Sequence, residues 1–434
     1  MKRFTAISVL SLLMALPLVS WSQFSVSAEL RPRFEMNLGA GSPLPDSLNA
    51  QYYVTQRTRL NFDFTREKYQ LRLSLQDVRL WGDGDIYSAT GVFGSNSGVD
   101  IKEAWFRLNI GRHSALKIGR QELKLDDQRL IAGRNWNQFG ISYDAAVYEF
   151  RKNDWNLDLA LSYNNLMNRN NGRTIYESDF FGNTNLIKTL NYLHIRKKFN
   201  KNLAASVMAI ASGFRHTDNP GVIYITGTYG LWTKYTLKHF DLSGEIYLQN
   251  GKAQSGKDVS AYMLALHPGV KFGVFRLGIG GEYLSGDDAR NDNYSLKERT
   301  FNTLYGAVYK FNGYMNYYSY KKSSTANGGL IDIYPNLACR INEKHSLSAY
   351  YHFFSLAGPV LISNEVIDDK DLGSELDLVY VYRVMPELTV QAGFSRYFTS
   401  GTLEKVKKVS GSPIHSPYWA YLMLTFTPEL FSTK

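Results

Sequence analysis

A two-residue alternation of apolar and polar side chains recurs along this chain, and no apolar run after the N-terminus is long enough for a membrane helix. Between residues 24 and 36, Val26, Ala28, Leu30, Phe34 and Met36 stand on one parity. Ser25, Ser27, Glu29, Arg31, Arg33 and Glu35 stand on the other. Side chains of an extended strand project alternately to two faces, so this spacing predicts a strand with one apolar and one polar face. Residues 52–64 repeat it, with Leu60, Phe62 and Phe64 opposed to Arg57, Arg59, Asn61 and Asp63. After a tight turn, Tyr69, Leu71, Leu73 and Leu75 oppose Gln70, Arg72 and Ser74. Taken singly, such strands suit a soluble sandwich or a membrane barrel equally well.

The connections separate the two. Tight turns are predicted at 65–67, 111–113, 151–154, 199–202, 239–241, 272–274, 342–345 and 385–387, and long loops at 82–98, 124–139, 164–185 and 286–329. A transmembrane barrel keeps short periplasmic turns at one end and longer extracellular loops at the other, whereas a Greek-key sandwich has no reason to. The fold class is therefore all-β: a single transmembrane antiparallel β-barrel of about 18 strands. Asn312-Gly313 keeps a second count open, since a hairpin turn there would raise it to about 20.

Residues 1–22 read as a secretory signal peptide: Lys2 and Arg3, an apolar core from Ala6 to Val19, then small Ser20 and Ser22. The core is shorter than the roughly 20 residues a spanning helix needs. Residues 23–434 show no Pro/Ser-rich linker or shift of composition, so they form one barrel domain. A secreted chain of this kind can enter a bilayer only as a closed barrel, with every backbone polar group paired. The expected location is the outer membrane of a Gram-negative cell, with outer-membrane lipid as the first partner.

The stretch from Lys117 to Phe150 carries a resemblance. Gly119-Arg120-Gln121 ends a strand, Asp127-Gln128-Arg129-Leu130 forms a charged loop, Trp136 follows, and Asp144 lies in the return strand. Near the C-terminus stands Gly373-Ser374-Glu375-Leu376-Asp377-Leu378. In these two motifs the chain resembles the alginate export family of outer-membrane barrels. Between them the likeness is one of layout. The resemblance implies passage or export of an anionic solute such as an acidic, alginate-like oligo- or polysaccharide. Periplasmic export or uptake partners would then be expected.

The polar parity places Arg31, Arg33, Arg57, Arg59, Arg72, Arg107 and Lys117 on the lumen side, interleaved with Glu103, Asp144, Glu375 and Asp377. Fixed charges select ions by sign, and the planar arginine fork holds carboxylates in bidentate fashion. The same charges can instead pair across the lumen as a structural ladder. Trp105 shares the parity of Glu103 and Arg107 and is the candidate for stacking on a sugar ring. Leu116 and Ile118 set the lipid face of their strand, so strict alternation points Arg120 outward. Either Gly119 marks a bulge that turns Arg120 inward, or the strand has already left the apolar zone there; the resemblance favours the inward option and adds Gln121 and Arg129 to the pathway.

Other chemistries find no support. Gly251 to Asp258 (GKAQSGKD) lacks the hydroxyl residue and the following helix of a phosphate-binding loop, and reads as a hairpin loop. The acidic clusters at Asp83 and Asp85 and at Asp287, Asp288 and Asp292 lack the Gly and distal Glu of a calcium loop. Eight His residues show no zinc spacing, and no G-x-S-x-G elbow occurs. Lone Cys339 reads as a packing residue. The expectation is a channel and not an enzyme, with no cofactor, metal or nucleic acid. Two alternatives stay open: a general or organic-anion porin, and a non-conducting barrel whose loops form a surface-binding platform.

Overall fold

The structure is a computed structural model that describes residues 23–82, 99–164, 187–215, 222–319, 321–409 and 411–433. The expected signal peptide, most of the 82–98 and 164–185 loops, and the Asp83–Asp85 pair lie outside the described residues.

The chain is a closed antiparallel barrel of 18 strands. In order these are β1 Gln23–Leu38, β2 Gln51–Thr65, β3 Tyr69–Leu80, β4 Asp100–Asn109, β5 Ser114–Gln121, β6 Tyr143–Lys152, β7 Trp155–Ser162, β8 Ile187–Lys198 and β9 Leu203–Arg215. The second half comprises β10 Ile223–Thr236, β11 Phe240–Lys252, β12 Asp258–Phe272, β13 Phe275–Leu284, β14 Leu330–Arg340, β15 His345–Ser355, β16 Asp371–Met385, β17 Leu388–Phe398 and β18 Tyr418–Phe426. Each strand pairs with its sequence neighbours, and β1 closes the ring by pairing with both β2 and β18. Past β18 the chain turns through Thr427 and Pro428 and resumes as Glu429–Ser432, which extends the seam along the start of β1.

Every predicted short turn falls at one end of the barrel, and the long connections fall at the other. Within the tightest turns the backbone conformation matches its residues: Asn153, between β6 and β7, takes a φ of 52°, which Asn adopts more readily than most side chains. GKAQSGKD is the hairpin loop between β11 and β12. The Asn312-Gly313 alternative does not occur; 285–329 is one connection between β13 and β14.

Parity holds along β1 and fails for Asp144, which lies on the outer parity of β6. Leu30 and Phe34 are exposed on the outer face, while Arg31, Arg33 and Glu35 are buried on the inner one. One deviation matters. Ser74 pairs with Glu103 but Leu75 with Ile101, so Lys102 is the extra residue of a bulge and is buried beside Glu103. The expected bulge at Gly119 is absent: the β4–β5 register runs unbroken from Ala104–Arg120 to Asn109–Ala115.

Two long connections fold back into the barrel. Residues 122–142 carry buried Leu123, Leu125, Leu130, Ile131 and Ala132, and residues 300–329 carry buried Phe301, Val308, Phe311, Met315, Tyr317 and Tyr318. These side chains form much of the hydrophobic core. They pack against apolar side chains on the inner face of the strands, among them Tyr192, Ile210, Tyr247, Met263 and Tyr421. A helix, α1 Gly401–Lys407, lies in the β17–β18 loop, capped by the Ser400 hydroxyl accepting from the Leu403 amide at 3.1 Å.

Candidate functional site: a plugged lumen between a basic and an acidic wall

Four arginines project from alternate positions of β1 and β2: Arg31 and Arg33, Arg57 and Arg59. Arg31 lies directly opposite Arg57 and Glu29 opposite Arg59 in the ladder. Glu29 bridges Arg57, approaches Arg59 at 3.8 Å and Arg31 at 3.9 Å, and Glu35 pairs with Arg33 at 2.9 Å. Two carboxylates do not saturate four guanidinium forks. The remaining donors meet the backbone of residues 135–139.

Arg31 donates to the carbonyl oxygens of Asn135 (2.6 Å), Asn137 (2.9 Å) and Trp136 (3.2 Å), and to the Gln138 side chain. Arg57 donates to the Asn135, Asn137 and Gln138 carbonyls at 3.1–3.3 Å. Arg59 reaches the Asn135 side chain at 2.9 Å, and Arg33 the Trp136 carbonyl at 3.3 Å. Glu122, at the root of this loop, binds the Asn135 amide through both oxygens and pairs with Lys124 and, at 3.5 Å, with Lys102. Burial alone would raise the Glu122 carboxyl; Lys124, Lys102 and Asn135 hold it below its ordinary value.

Across the lumen, β11, β13, β14 and β16 present Glu245, Glu282, Asp332, Glu375 and Asp377, all buried. Arg129 leaves the 122–142 segment and forks onto Glu282 with two bonds of 2.8 Å; Glu245 lies 3.6 Å away, and the Phe311 ring stacks 3.5 Å from its carbon. Burial works against the Arg129 charge, but Glu282 and Glu245 outweigh it and hold the group above its ordinary value. Asn312 donates to Glu282 and Asp332, the Met315 amide to Glu375 at 2.8 Å, and the Tyr314 amide to Asp377 at 3.3 Å. Gly313 permits this approach: its φ is +80°, and a Cβ there would sit 2.4 Å from Glu375 Oε2. His352 completes the wall, its Nδ1 3.0 Å from both Asp332 oxygens.

The two inserted segments grip each other. The Tyr305 and Ala307 amides donate to the Leu130 and Gln128 carbonyls at 2.9 Å, and Arg134 donates to the Gly306 carbonyl at 2.8 Å. Trp136 is the hub of an aromatic cluster, with Tyr421 at 5.0 Å and Tyr309 and Tyr314 at 5.7 Å between ring centroids. Above this plug a cavity of about 810 Å³ opens toward the loops, and at the turn end one of about 600 Å³ is lined by Lys68, Arg107 and Arg112.

Arg72 joins Asp63 and Glu103, Arg107 joins Glu149, and Lys117 lies 4.0 Å over the Trp105 ring, so the lower wall is a paired ladder in which one face of Trp105 is covered. Glu375, Asp377, Gln121 and Arg129 are all inside and buried. Arg120 and Asp144 are not. The unbroken register keeps them on the outer face, bonded to each other at 2.9 and 3.0 Å, each one residue from the loop end of its strand. Near that end an outward charge costs little, so no bulge is needed. The sequence reading missed Lys102, the Trp136 cluster, Asn312 and Lys321, whose buried ammonium donates to the Asn312 side chain and to the Tyr318 carbonyl at 2.7 Å. Apolar residues within charged connections, such as Leu130-Ile131-Ala132, were the available sign of insertion.

Comparison with known proteins agrees with this architecture. OccAB4 of Acinetobacter baumannii superposes with a TM-score of 0.62 at 12% identity, covering 95% of this chain and 100% of that one. OpdL of Pseudomonas aeruginosa gives 0.62 at 12% identity, covering 94% and 99%. OpdK of the same organism, solved with vanillate, gives 0.60 at 11% identity, covering 94% and 99%. At these identities the likeness is one of fold. No curated protein matches the chain. The alginate export family model matches residues 23–411, so the plugged barrel is an outer-membrane channel and the chain belongs to the alginate export family.

Proposed function

We propose that this channel passes an acidic oligo- or polysaccharide, and that uronate carboxylates take over the arginine donors now bound to residues 135–139. The observation that carries the reading is the chemistry of those bonds. Arg31 spends its donors on neutral oxygens, and Arg57, whose Nε and Nη2 hold Glu29, gives its Nη1 to the carbonyls of Asn135, Asn137 and Gln138. A carboxylate makes a charge-assisted bond about twice as strong as a neutral acceptor does, so an acidic polymer competes favourably for the same forks. The 122–142 segment then withdraws while its carbonyls return to water, and Trp136 and its neighbouring tyrosines offer ring faces to sugar. Residues 1–22 direct export and are removed, and a periplasmic partner that delivers or collects polymer meets the turn end.

The test is a planar-bilayer recording of the full mature chain across a salt gradient, with a polyuronate titrated in. Expected are an anion-selective reversal potential and block by polyuronate, both weakened in Arg31→Gln/Arg57→Gln. A cation-selective potential would overturn the reading. Current blocked by vanillate but indifferent to polyuronate would replace the polymer with small organic anions, and no current from folded protein would move function to the loops.

A further inference from the structure

The charge of this chain is not spread evenly. Without Lys2 and Arg3, its 49 Lys and Arg become 47 against 39 Asp and Glu, a surplus of eight. The eight short turns, each taken with two strand residues on either side, hold 13 Lys and Arg and 5 Asp and Glu. The entire surplus therefore sits at the turn end, and the rest of residues 23–434 is balanced at 34 of each sign.

These turn-end cations differ from the lumen arginines in having few partners. Arg151 pairs with Asp158, and Lys271 and Arg276 pair with Asp241. All three stand on the lumen parity of their strands. The other ten form no ion pair among the described residues. The outer-face apolar band also runs right to the turn tips: Ile110, Phe199, Leu237 and Ile341 are 41–55% exposed, each within two residues of an unpaired cation. The Lys197 ammonium lies 4.6 Å over Trp155 and 5.0 Å over Phe199, and the Arg66 guanidinium 5.7 Å over Phe64. Turns standing free in water would not need apolar tips. Apolar tips in acyl chains, with aromatics and long cationic side chains beside them at headgroup height, match the membrane interface.

We propose that the turn-end rim is a binding ring for the anionic phospholipid headgroups of the adjoining leaflet. Of these turn-end cations, only Lys198 and Arg340 on the lumen parity lack an ion pair among the described residues; the other eight unpaired ones, Lys152, Lys197 and Lys201 among them, lie in the turns or on the lipid-facing parity, which favours lipid over a soluble polymer as the occupant. The ring fixes the height of the barrel in the bilayer and does not depend on which solute the lumen carries.

The test reconstitutes the full chain in nanodiscs of phosphatidylethanolamine and phosphatidylglycerol, and measures by native mass spectrometry which lipid remains bound. Expected is severalfold enrichment of phosphatidylglycerol over the bulk ratio. Lys197→Gln/Lys201→Gln should lose much of it, by up to roughly fivefold per cation removed. Lys405→Gln/Lys408→Gln, at the loop end, should keep it, and heat-dependent gel migration confirms folding of each variant. Retention at the bulk ratio in the wild type, or equal enrichment in both variants, would overturn the proposal. So would polyuronate binding that falls with Lys197 and Lys201 while lipid retention does not change, which would assign the rim to solute.

Discussion

The two walls of the lumen hold their inserted segments by opposite means. On β1 and β2 the wall supplies donors, and the segment answers with carbonyl oxygens of residues 135–139. On β13, β14 and β16 the wall supplies carboxylates, and the segments answer with Arg129, Asn312 and the amides of Tyr314 and Met315. Both walls are buried and both carry many bonds, yet they are not equally exchangeable. An incoming carboxylate is a better acceptor than the carbonyl it displaces. Opposite, release leaves buried carboxylates without their cation, and breaking such a pair costs about 3–5 kcal/mol. One wall is built to let go, the other to hold.

The largest test of this asymmetry is Arg129→Ala. It strands Glu282 and Glu245 in the interior, and the inserted segments should lose about 3–5 kcal/mol of anchorage. Single-channel recording should show a permanently raised conductance, and limited proteolysis should cut within 122–142. Next comes Arg31→Gln/Arg57→Gln, which removes charged donors worth about 1.5–3 kcal/mol each. Here the reversal potential should shift away from anions while Arg129 still tethers the plug. Gly313→Ala forces a Cβ toward Glu375 and an L side chain into a left-handed backbone, a strain of about 1–3 kcal/mol. It should free the Tyr314 and Met315 amides to hydrogen exchange and leave those of Asn137 and Ile141 protected.

Protonation offers a graded probe of the acidic side. Lys321 donates to Asn312 and to the Tyr318 carbonyl, and burial lowers its ammonium to about 7, with Glu282 opposing the shift and Arg129 adding to it. A released Lys321 keeps its ordinary value of 10.5. Between about 7 and 10.5 the released state binds a proton that the inserted state lacks, so insertion strengthens as pH rises through that window. Closed dwell times should lengthen from pH 7 to pH 8 by up to the roughly tenfold that one unit allows, and stay flat below pH 6. The smallest effect belongs to Arg120→Ala. Its pair with Asp144 is exposed and outside the lumen, so thermal stability should move by about 0–1 kcal/mol and conductance not at all.

Much of this architecture was legible because lipid and lumen impose opposite demands on alternate residues. Parity alone placed Arg31, Arg33, Arg57, Arg59, Glu375 and Asp377 inside. The ends of the barrel were legible from the lengths of its connections. Arg120 shows what happens when a motif is allowed to override parity: the motif is present, but the register carries it outward. Lys102 could not be read, because a bulge shifts parity by one residue and leaves no mark in composition. The plug was hidden for a different reason. Inserted loops have no period, and their signal is only the unexpected apolar residue, such as Leu125 or Phe311, in a segment otherwise rich in charge and glycine. The partners of the arginine wall are backbone carbonyls, which no sequence can display.

Hydrogen exchange of the full chain in nanodiscs, with and without an oligouronate, tests the central claim most directly. The account predicts that the oligouronate releases the amides of Asn137 and Ile141, which are bonded within the 122–142 segment, and leaves those of Tyr314 and Met315 protected. Release of both sets together, or of neither at a concentration that blocks current, would contradict it.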